Sequence, residues 1–329
     1  MDVLGTSPEA VDAFLKHFKT SLRENSIFRG HVISFTASDY SSSAAGITFH
    51  RRISVAAGDV VLPSGTLDRI EAQVLGVGEH REKLLAHGAH LKRGVLLYGP
   101  PGTGKTHTVR YLAAAAAGHT VILLACNTLA YVSEAARMAR ALQPAIVVLE
   151  DCDLVAEDRS FGHGPQPLLF EVLDAMDGLD TDADVAFLLT TNRLELLEAA
   201  LVQRPGRVDL AVGIPRPDAG ARRALLELYG HKLNPSPETV NRVAELIEGT
   251  TASFAKEMTR RAILLAAIAG QEPGDSHMMA AAIELMSDAA TLTRSLLGGT
   301  GENDQEPASS REAAHFEPGI APGSIGCSG

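Results

Sequence analysis

The sequence predicts an α/β fold in which a parallel sheet, covered by helices on both faces to give three layers, is followed by a helical domain. Five short apolar runs alternate with stretches of helical periodicity: Gly94–Tyr98, Val121–Ala125, Ile146–Glu150, Val185–Thr190 and Leu210–Ile214. Apolar runs of this length are typical of strands buried on both faces of a parallel sheet. After residue 214 helical periodicity continues nearly unbroken, so we expect a separate helical layer there.

Composition shifts divide the chain into four segments, residues 1–58, 59–214, 215–297 and 298–329. The first is predicted to be a small α+β unit, with a helix capped by Ser7 and strands at Gly30–Ala37 and Ile47–Val55. The second is the large α/β domain, and the third is the helical lid. The last is rich in Gly, Ser, Pro and acidic residues, a composition typical of a disordered tail.

Charge and cysteine content limit the possible functions. The 29 basic and 40 acidic residues give a formal net charge of −11, which argues against a protein that mainly grips nucleic-acid phosphates. Cys126, Cys152 and Cys327 form no CxxC pair, which fits a reducing compartment. The N-terminal residues do not form a secretion signal, and no run is suited to span a membrane. We therefore expect a cytoplasmic protein.

A glycine-rich motif between the first predicted strand of the large domain and the following helix indicates a phosphate-binding loop. Its residues are Gly99, Pro100, Pro101, Gly102, Thr103, Gly104, Lys105 and Thr106. Glycines allow the tight turn that brings backbone N–H groups around phosphates, and the helix that starts near His107 adds the positive end of its dipole. Lys105 can neutralise the β and γ oxygens, while the Thr106 hydroxyl can ligate Mg²⁺. The predicted cofactors are therefore ATP and Mg²⁺, with His107 included among the nucleotide-binding residues.

A second motif ends the apolar run Ile146–Leu149 with the carboxylates Glu150, Asp151 and Asp153. A carboxylate at the end of a strand beside a phosphate loop can hold Mg²⁺ and polarise the attacking water. The other interpretation is a strand that runs into a solvated acidic turn.

Together with Thr191-Asn192 and the run Arg204–Asp209, these motifs resemble the AAA family of P-loop ATPases, such as the regulatory ATPases of the proteasome. The resemblance extends over roughly residues 59–297. It implies that Glu150 serves Mg²⁺ through water and that Asp151 orients the lytic water. The family usually has Asp-Glu at this strand end, the Walker B motif, whereas this chain has the reversed order Glu150-Asp151. Because Asp is shorter than Glu, the reversal affects the water geometry and hence turnover more than ATP binding.

The same resemblance assigns roles to residues further along the chain. Asn192 is expected near the γ-phosphate and the water, although it could instead cap the next helix. Arg204 and Arg207 are expected to reach the nucleotide of a neighbouring subunit, where an arginine stabilises charge on the transferring phosphoryl group. Surface salt bridges are the alternative for these two arginines. Arginines that act on a neighbour imply a homo-oligomeric ring, and six subunits is the family's habit.

The resemblance also predicts which residues contact the base of the nucleotide. Val60 and Val61 stand where the family passes its backbone along adenine, and they replace the usual glycines. Packing at the start of a strand is the other interpretation of these valines. Ala252 and Ser253, in a small-residue turn of the lid, are expected against the ribose and base.

The resemblance also suggests what the protein moves. In AAA unfoldases, an aromatic residue after the second strand points into the ring's pore, and Tyr131 stands at that place. A buried or interface tyrosine is the alternative, and the following segment is shorter than in the family pattern. A second loop, Arg159–Gly164, carries Phe161 and is either a pore loop or a plain surface turn.

Three functions follow from these observations. The first is a ring ATPase that remodels, unfolds or translocates a protein client, with residues 1–58 as the client or adaptor segment. The second is a nucleotide-dependent scaffold that hydrolyses ATP slowly or not at all because of the reversed pair Glu150-Asp151. The third is a DNA-associated AAA protein, which the net charge disfavours.

Overall fold

The computed structural model describes residues 7–36, 46–152, 174–176, 182–195 and 207–287. Its helices are α1 Pro8–Glu24, α2 Thr66–Glu71, α3 Val77–Glu79, α4 Arg81–Ala86, α5 Lys105–Ala115, α6 Val132–Ala141, α7 Ala219–Gly230, α8 Pro237–Leu246, α9 Ala252–Ala269 and α10 Asp275–Met286. A π-helical turn, Ala72–Gly76, joins α2 to α3, and two 3₁₀ helices lie at Ala57–Asp59 and Cys126–Tyr131. Its strands are β1 Val32–Thr36, β2 Gly46–His50, β3 Arg93–Tyr98, β4 Thr120–Ala125, β5 Ala145–Glu150, β6 Val185–Thr191 and β7 Leu210–Gly213.

The five strands predicted for the large domain are confirmed within one or two residues at each end. They belong to a seven-stranded sheet of order β2-β1-β4-β5-β6-β3-β7. All neighbouring strands are parallel except β1 and β2. The interior strand β6 is buried at every position, as expected for a strand covered on both faces.

Alternate residues of the strands lie on opposite faces of the sheet and pack into two separate cores. One face carries Val147 and Phe187, which lie in the same apolar cluster as helix α6. The other face carries Ile146 and Leu188, in one cluster with residues of α5 and α2. The period of two along each strand therefore produces the three layers that the sequence predicts.

The N-terminal strands correct the prediction that residues 1–58 form a unit of their own. Strand β1 pairs in parallel with β4 through Val32, Ile33 and Ser34, and β2 pairs antiparallel with β1. Ile33 is fully buried and joins the core of the large domain. This part of the first segment therefore extends the main sheet.

Helix α1 differs from these strands in its packing. Ser7 caps it as predicted, since its side chain accepts a hydrogen bond from the Ala10 N–H at 3.2 Å. None of its residues with described side chains is buried, and Phe14 stacks on Phe18 with a centroid distance of 6.0 Å. The apolar side of α1 thus contributes nothing to the core of the described chain.

The amino ends of the central strands hold a buried ion pair, which the sequence does not predict. Arg93 at the start of β3 lies 2.6 Å from Asp184, just before β6, and the two residues are 3% and 4% exposed. Arg93 also donates two hydrogen bonds to the Val74 carbonyl and one to the Leu91 carbonyl. Val74 lies in the π-helical turn, where the regular i→i−4 ladder is interrupted. The guanidinium thus joins this helix to the sheet.

The lid consists of helices α7 to α10 around a third apolar core. Residues 231–236, 247–251 and 270–274 separate these helices. Phe254 and Met258 of α9 are fully buried in this core. Val61 of the large domain packs against the same cluster, which connects the lid to the segment after the 3₁₀ helix Ala57–Asp59.

Some predictions fall on residues outside the described part of the chain. These are Asp153, Arg204, the loop Arg159–Gly164, Cys327 and the tail 298–329. Among the described residues, no helix combines the length and the apolar character that a membrane span requires.

Candidate nucleotide site

The predicted phosphate loop lies at the carboxyl end of β3 and leads directly into helix α5. Gly99, Gly102 and Gly104 have positive φ values of 146°, 78° and 112°, which favour glycine. Space demands glycine as well, because a Cβ on Gly99 would lie 2.2 Å from the Ile214 carbonyl oxygen. The loop therefore requires glycine by conformation and by close approach, as expected of a backbone cradle for phosphate.

Lys105 begins helix α5 and folds its side chain over the loop. Its ammonium donates hydrogen bonds to the carbonyls of Gly99 at 2.7 Å and Pro100 at 2.8 Å. The Thr103 hydroxyl also donates to Pro100, at 2.9 Å. These bonds keep a cation at the helix N-terminus, where the phosphates of a nucleotide are expected.

Glu150 lies at the end of β5, facing the start of α5. Its carboxylate accepts a hydrogen bond from Thr106, and partial burial raises its pKa. The hydroxyl and the carboxylate are the oxygen ligands that Mg²⁺ prefers. The two residues predicted for the metal are therefore neighbours in the fold.

Asp151, Thr190 and Asn192 form the next part of the site. Asp151 has a φ of 51°, and its N–H donates to the Thr190 hydroxyl at 3.0 Å. The Asn192 amide donates to the Asp151 carboxylate at 3.3 Å. Asn192 thus lies where its side chain reaches Asp151, and Thr190 fixes the turn that presents this carboxylate. Thr190 was not predicted, although its position in the polar end of β6 was a usable signal.

The lid contacts the phosphate loop through the turn predicted to face the ribose and base. The Ser253 N–H donates to the Gly102 carbonyl at 3.1 Å, and a Cβ on Gly102 would lie 2.9 Å from the Thr251 hydroxyl. Ala252, Val61 and Thr103 line a cavity of about 300 Å³ together with Pro215. The predicted residues of the lid and the large domain therefore meet beside the loop.

His107 connects the phosphate-loop helix to the segment that carries Val60 and Val61. Its Nε2 lies 3.0 Å from the Asp59 carbonyl oxygen, so this nitrogen donates the hydrogen bond. The pKa of Tyr229 of α7 is raised, first by burial and then by the charge of Asp59 in the same segment. Val60 packs into the core of the large domain and Val61 packs against the lid, but no strand begins at these valines, contrary to the alternative interpretation. Tyr229 had no signal in the sequence.

Arg207 lies away from the phosphate loop of its own chain. Its carbonyl touches Gly94, where a Cβ would come within 2.1 Å, and Asp209 bonds the Gly94 N–H at 2.8 Å. Gly94 is near the amino end of β3, and five residues of strand cover about 16 Å to Gly99. The backbone of Arg207 is thus at the opposite end of this strand from the loop.

Tyr131 requires a correction. The sequence placed it on a loop facing a ring pore, but its side chain is 6% exposed and lies in the main core. Its ring packs edge-on against Phe35 of β1, with a centroid distance of 6.2 Å and an interplanar angle of 86°. The added strand β1 covers the position, so the buried tyrosine, the other interpretation, is what the structure shows.

Comparison with known proteins shows similarity to a family of ATPases. Residues 95–216 match the model of the ATPase family associated with various cellular activities (AAA), so this stretch is an AAA domain. The chain is 33% identical over 196 residues to the 26S proteasome regulatory subunit 8 homolog of Saccharomyces cerevisiae, covering 54% of this chain and 47% of the relative.

An archaeal relative gives a similar result. The chain is 36% identical over 181 residues to the proteasome-activating nucleotidase of Methanospirillum hungatei. The matched region covers 49% of this chain and 42% of that protein. The chain spans about half the length of the curated relatives that it matches.

Proposed function

We propose that the protein hydrolyses ATP with Mg²⁺ as a homo-oligomeric AAA ring in the cytoplasm, and that it remodels, unfolds or translocates a protein client. The observation that carries the proposal is the contact of Asn192 with Asp151, next to Glu150 bonded to Thr106. The two contacts support a role for Glu150 with the metal and a role for Asp151 with the water, both at one end of the sheet. A structural acidic turn would not need both.

The proposed roles follow from these positions. The loop N–H groups and Lys105 bind the phosphates, while Thr106 and Glu150 would hold Mg²⁺, which supplies charge neutralisation on the β- and γ-phosphates. Asp151 accepts a hydrogen bond from the attacking water, and Asn192 keeps that carboxylate oriented. The lid residues Ala252 and Ser253 close over the nucleotide.

A ring is proposed because the hydrolytic site of one chain lacks a nearby arginine of the predicted pair among the described residues. Arg207 lies at the other end of β3 from its own loop, which suits a residue that serves a neighbour. A ring of six, with Arg204 and Arg207 acting on the next subunit, follows the family pattern. The names of the two proteasomal relatives support a protein client.

Steady-state ATP hydrolysis tests the enzymatic proposal. Asp151→Asn should lower turnover by about a hundredfold or more, since it removes the acceptor for the water proton. Arg207→Ala should lower turnover to a similar degree, whereas Asp12→Asn and Arg137→Ala, on exposed helix positions, should not. If the wild-type turnover equals that of Asp151→Asn, the nucleotide-dependent scaffold is the correct function.

Client remodelling is tested separately with a fluorescent protein that carries an unstructured tail. ATP should cause loss of its fluorescence with the wild-type protein, while Asp151→Asn should hold the tail in ATP without unfolding the protein. Full ATP turnover with no loss of fluorescence and no retention would contradict the remodelling part alone.

A further inference from the structure

Strand β2 is an open edge of the sheet within the described part of the chain. It is the last strand in the order and pairs only with β1 there. In an antiparallel pair, alternate residues turn their N–H and C=O groups away from the partner, so the outer side of β2 presents free backbone donors and acceptors. Natural edges are usually protected by charges, proline or bulges. The five residues Gly46–His50 contain no Lys, Glu, Asp or Pro.

Exposed apolar side chains lie on β2 and on residues that are close in sequence to its end or to Phe28, which stacks on it. Phe49 of β2 is 48% exposed, while Ile27 and Ile53 are 70% and 63% exposed. The Phe49 ring stacks on Phe28 with a centroid distance of 5.6 Å, and His31 packs edge-on against it. The contacts hold Phe49 in place, so its exposed face is an ordered apolar surface rather than a free side chain.

The described residues of the two edge strands and their flanks carry positive charge, in contrast to the protein as a whole. Residues 26–36 and 46–58 contain Arg29, Arg51 and Arg52 but no Asp or Glu, in a chain of net charge −11. Arg52 is committed to backbone carbonyls, whereas Arg51 is exposed directly after β2. A ligand at this edge is therefore favoured if it carries negative charge.

We propose that the outer edge of β2, with Ile27, Phe49, Arg51 and Ile53, binds an extended acidic and apolar segment of another protein as an added strand. Backbone hydrogen bonds to β2 give affinity, and alternate apolar and acidic side chains reach Phe49 and Arg51. The proposal rests on the proposed function, since this segment would belong to the client or its adaptor. A second copy of β2 fits less well because it brings no carboxylate to Arg51.

The test uses the full chain without nucleotide and a fluorescein-labelled synthetic peptide that alternates glutamate with valine and phenylalanine. Fluorescence anisotropy measures binding. Arg51→Glu should weaken binding about tenfold or more, because reversal of one rim charge changes attraction into repulsion. Phe49→Ser should weaken binding to a similar extent. The matched controls Arg242→Glu on the lid and Phe14→Ser on α1 should leave affinity within about twofold.

Two further peptides separate strand addition from simple charge attraction. The same sequence with N-methyl groups on alternate residues cannot complete the backbone bonds and should bind about tenfold more weakly. A peptide with lysine in place of glutamate should not bind measurably.

Several outcomes would overturn the proposal: equal binding of the N-methylated peptide, or equal loss in the two control variants. A change in sedimentation of the ring with Arg51→Glu, without a change in peptide affinity, would assign the edge to a second copy of the chain. Loss of ATP hydrolysis is measured independently, so a failure of the enzymatic proposal leaves this result interpretable.

Discussion

The two ends of the central strands use polar residues in opposite ways. At the carboxyl ends, Lys105, Asp151 and Asn192 make hydrogen bonds around a phosphate loop, where a ligand can replace the partners. At the amino ends, Arg93 and Asp184 are almost fully buried and held by several bonds. The same sheet therefore separates groups available to a ligand from groups whose partners are already fixed.

This separation follows from desolvation. A buried ion pair has lost its water, and its attraction offsets that loss only while both partners remain. Lys105 is also buried, at 5% exposed, but its partners are carbonyls of the phosphate loop, and it can exchange them for phosphate oxygens without rearranging the core. Substitutions at one end should therefore change catalysis, and substitutions at the other should change stability.

The largest expected effect is a loss of ATP hydrolysis, with little loss of stability, on substitution at the carboxyl ends of the strands. Lys105→Ala should reduce ATP hydrolysis by about a hundredfold or more, since the phosphates lose their main cation. The melting temperature should stay within about 2 °C because the Gly99 and Pro100 carbonyls that lose this partner are partly exposed to water. Lys92→Ala, directly before β3, is the matched control and should retain activity. A large drop in melting temperature for Lys105→Ala would contradict the separation.

The second prediction concerns the buried ion pair at the amino ends of the strands. Asp184→Asn should lower the free energy of unfolding by about 3–5 kcal/mol, because Arg93 keeps a buried charge without its counter-ion. Urea unfolding measures this loss, and the exposed neighbour Asp182→Asn should change it by less than about 0.5 kcal/mol. The KM for ATP of the folded variant should be unchanged.

A double substitution sharpens this second result. Replacing Arg93 by Met and Asp184 by Leu removes both charges, so it should restore part of the stability that Asp184→Asn loses. If the double variant is less stable than the single one, then the hydrogen bonds of Arg93 to Val74 and Leu91 matter more than its charge.

The third prediction concerns the link between the N-terminal strands and the phosphate-loop helix. The Arg52 guanidinium donates to carbonyls of Ala113, Ala116, Gly30 and His119, which lie at the C-terminal end of α5 and before β1 and β4. Arg52→Ala should lower the free energy of unfolding by about 1–3 kcal/mol, because carbonyls lose a charged donor. Arg51→Ala, the exposed neighbour, should have almost no effect in the same urea experiment.

The sequence predicted what is encoded locally. The strands Gly94–Tyr98 and Ile146–Glu150 stand out by their apolar runs, and the loop Gly99–Thr106 by its turn chemistry, because each is determined by adjacent residues. Glu150, Asp151 and Asn192 follow from the ends of neighbouring strands. Their grouping in the fold agrees with that expectation.

What the sequence missed depends on contacts between distant residues. Strand β1 joins β4 across a separation of about 90 residues, and no local pattern indicates that pairing. The burial of Tyr131 depends on Phe35 of that same strand, so the two errors have one origin. Arg93 and Asp184, 91 residues apart, are likewise two charged residues with no pattern that would join them.

The smallest effect is a pH dependence at the amino end. Burial lowers the pKa of His119, and the nearby guanidinium groups of Arg52 and Arg93 act in the same direction, against the charge of Asp184. The unfolded chain therefore binds a proton more readily than the folded chain. Stability from the neutral ring is present above the ordinary histidine pKa of about 6.5 and is lost as the pH falls below it.

His119→Gln removes this group and should make stability less sensitive to pH. The fall in melting temperature between pH 7.5 and pH 5.5 should be smaller in the variant than in the wild type, whereas His87→Gln, on an exposed position, should behave like the wild type. Equal slopes for His119→Gln and the wild type would mean that folding does not lower the pKa of this ring. The amino end would then tolerate an unpaired charge, contrary to the contrast drawn between the two ends of the sheet.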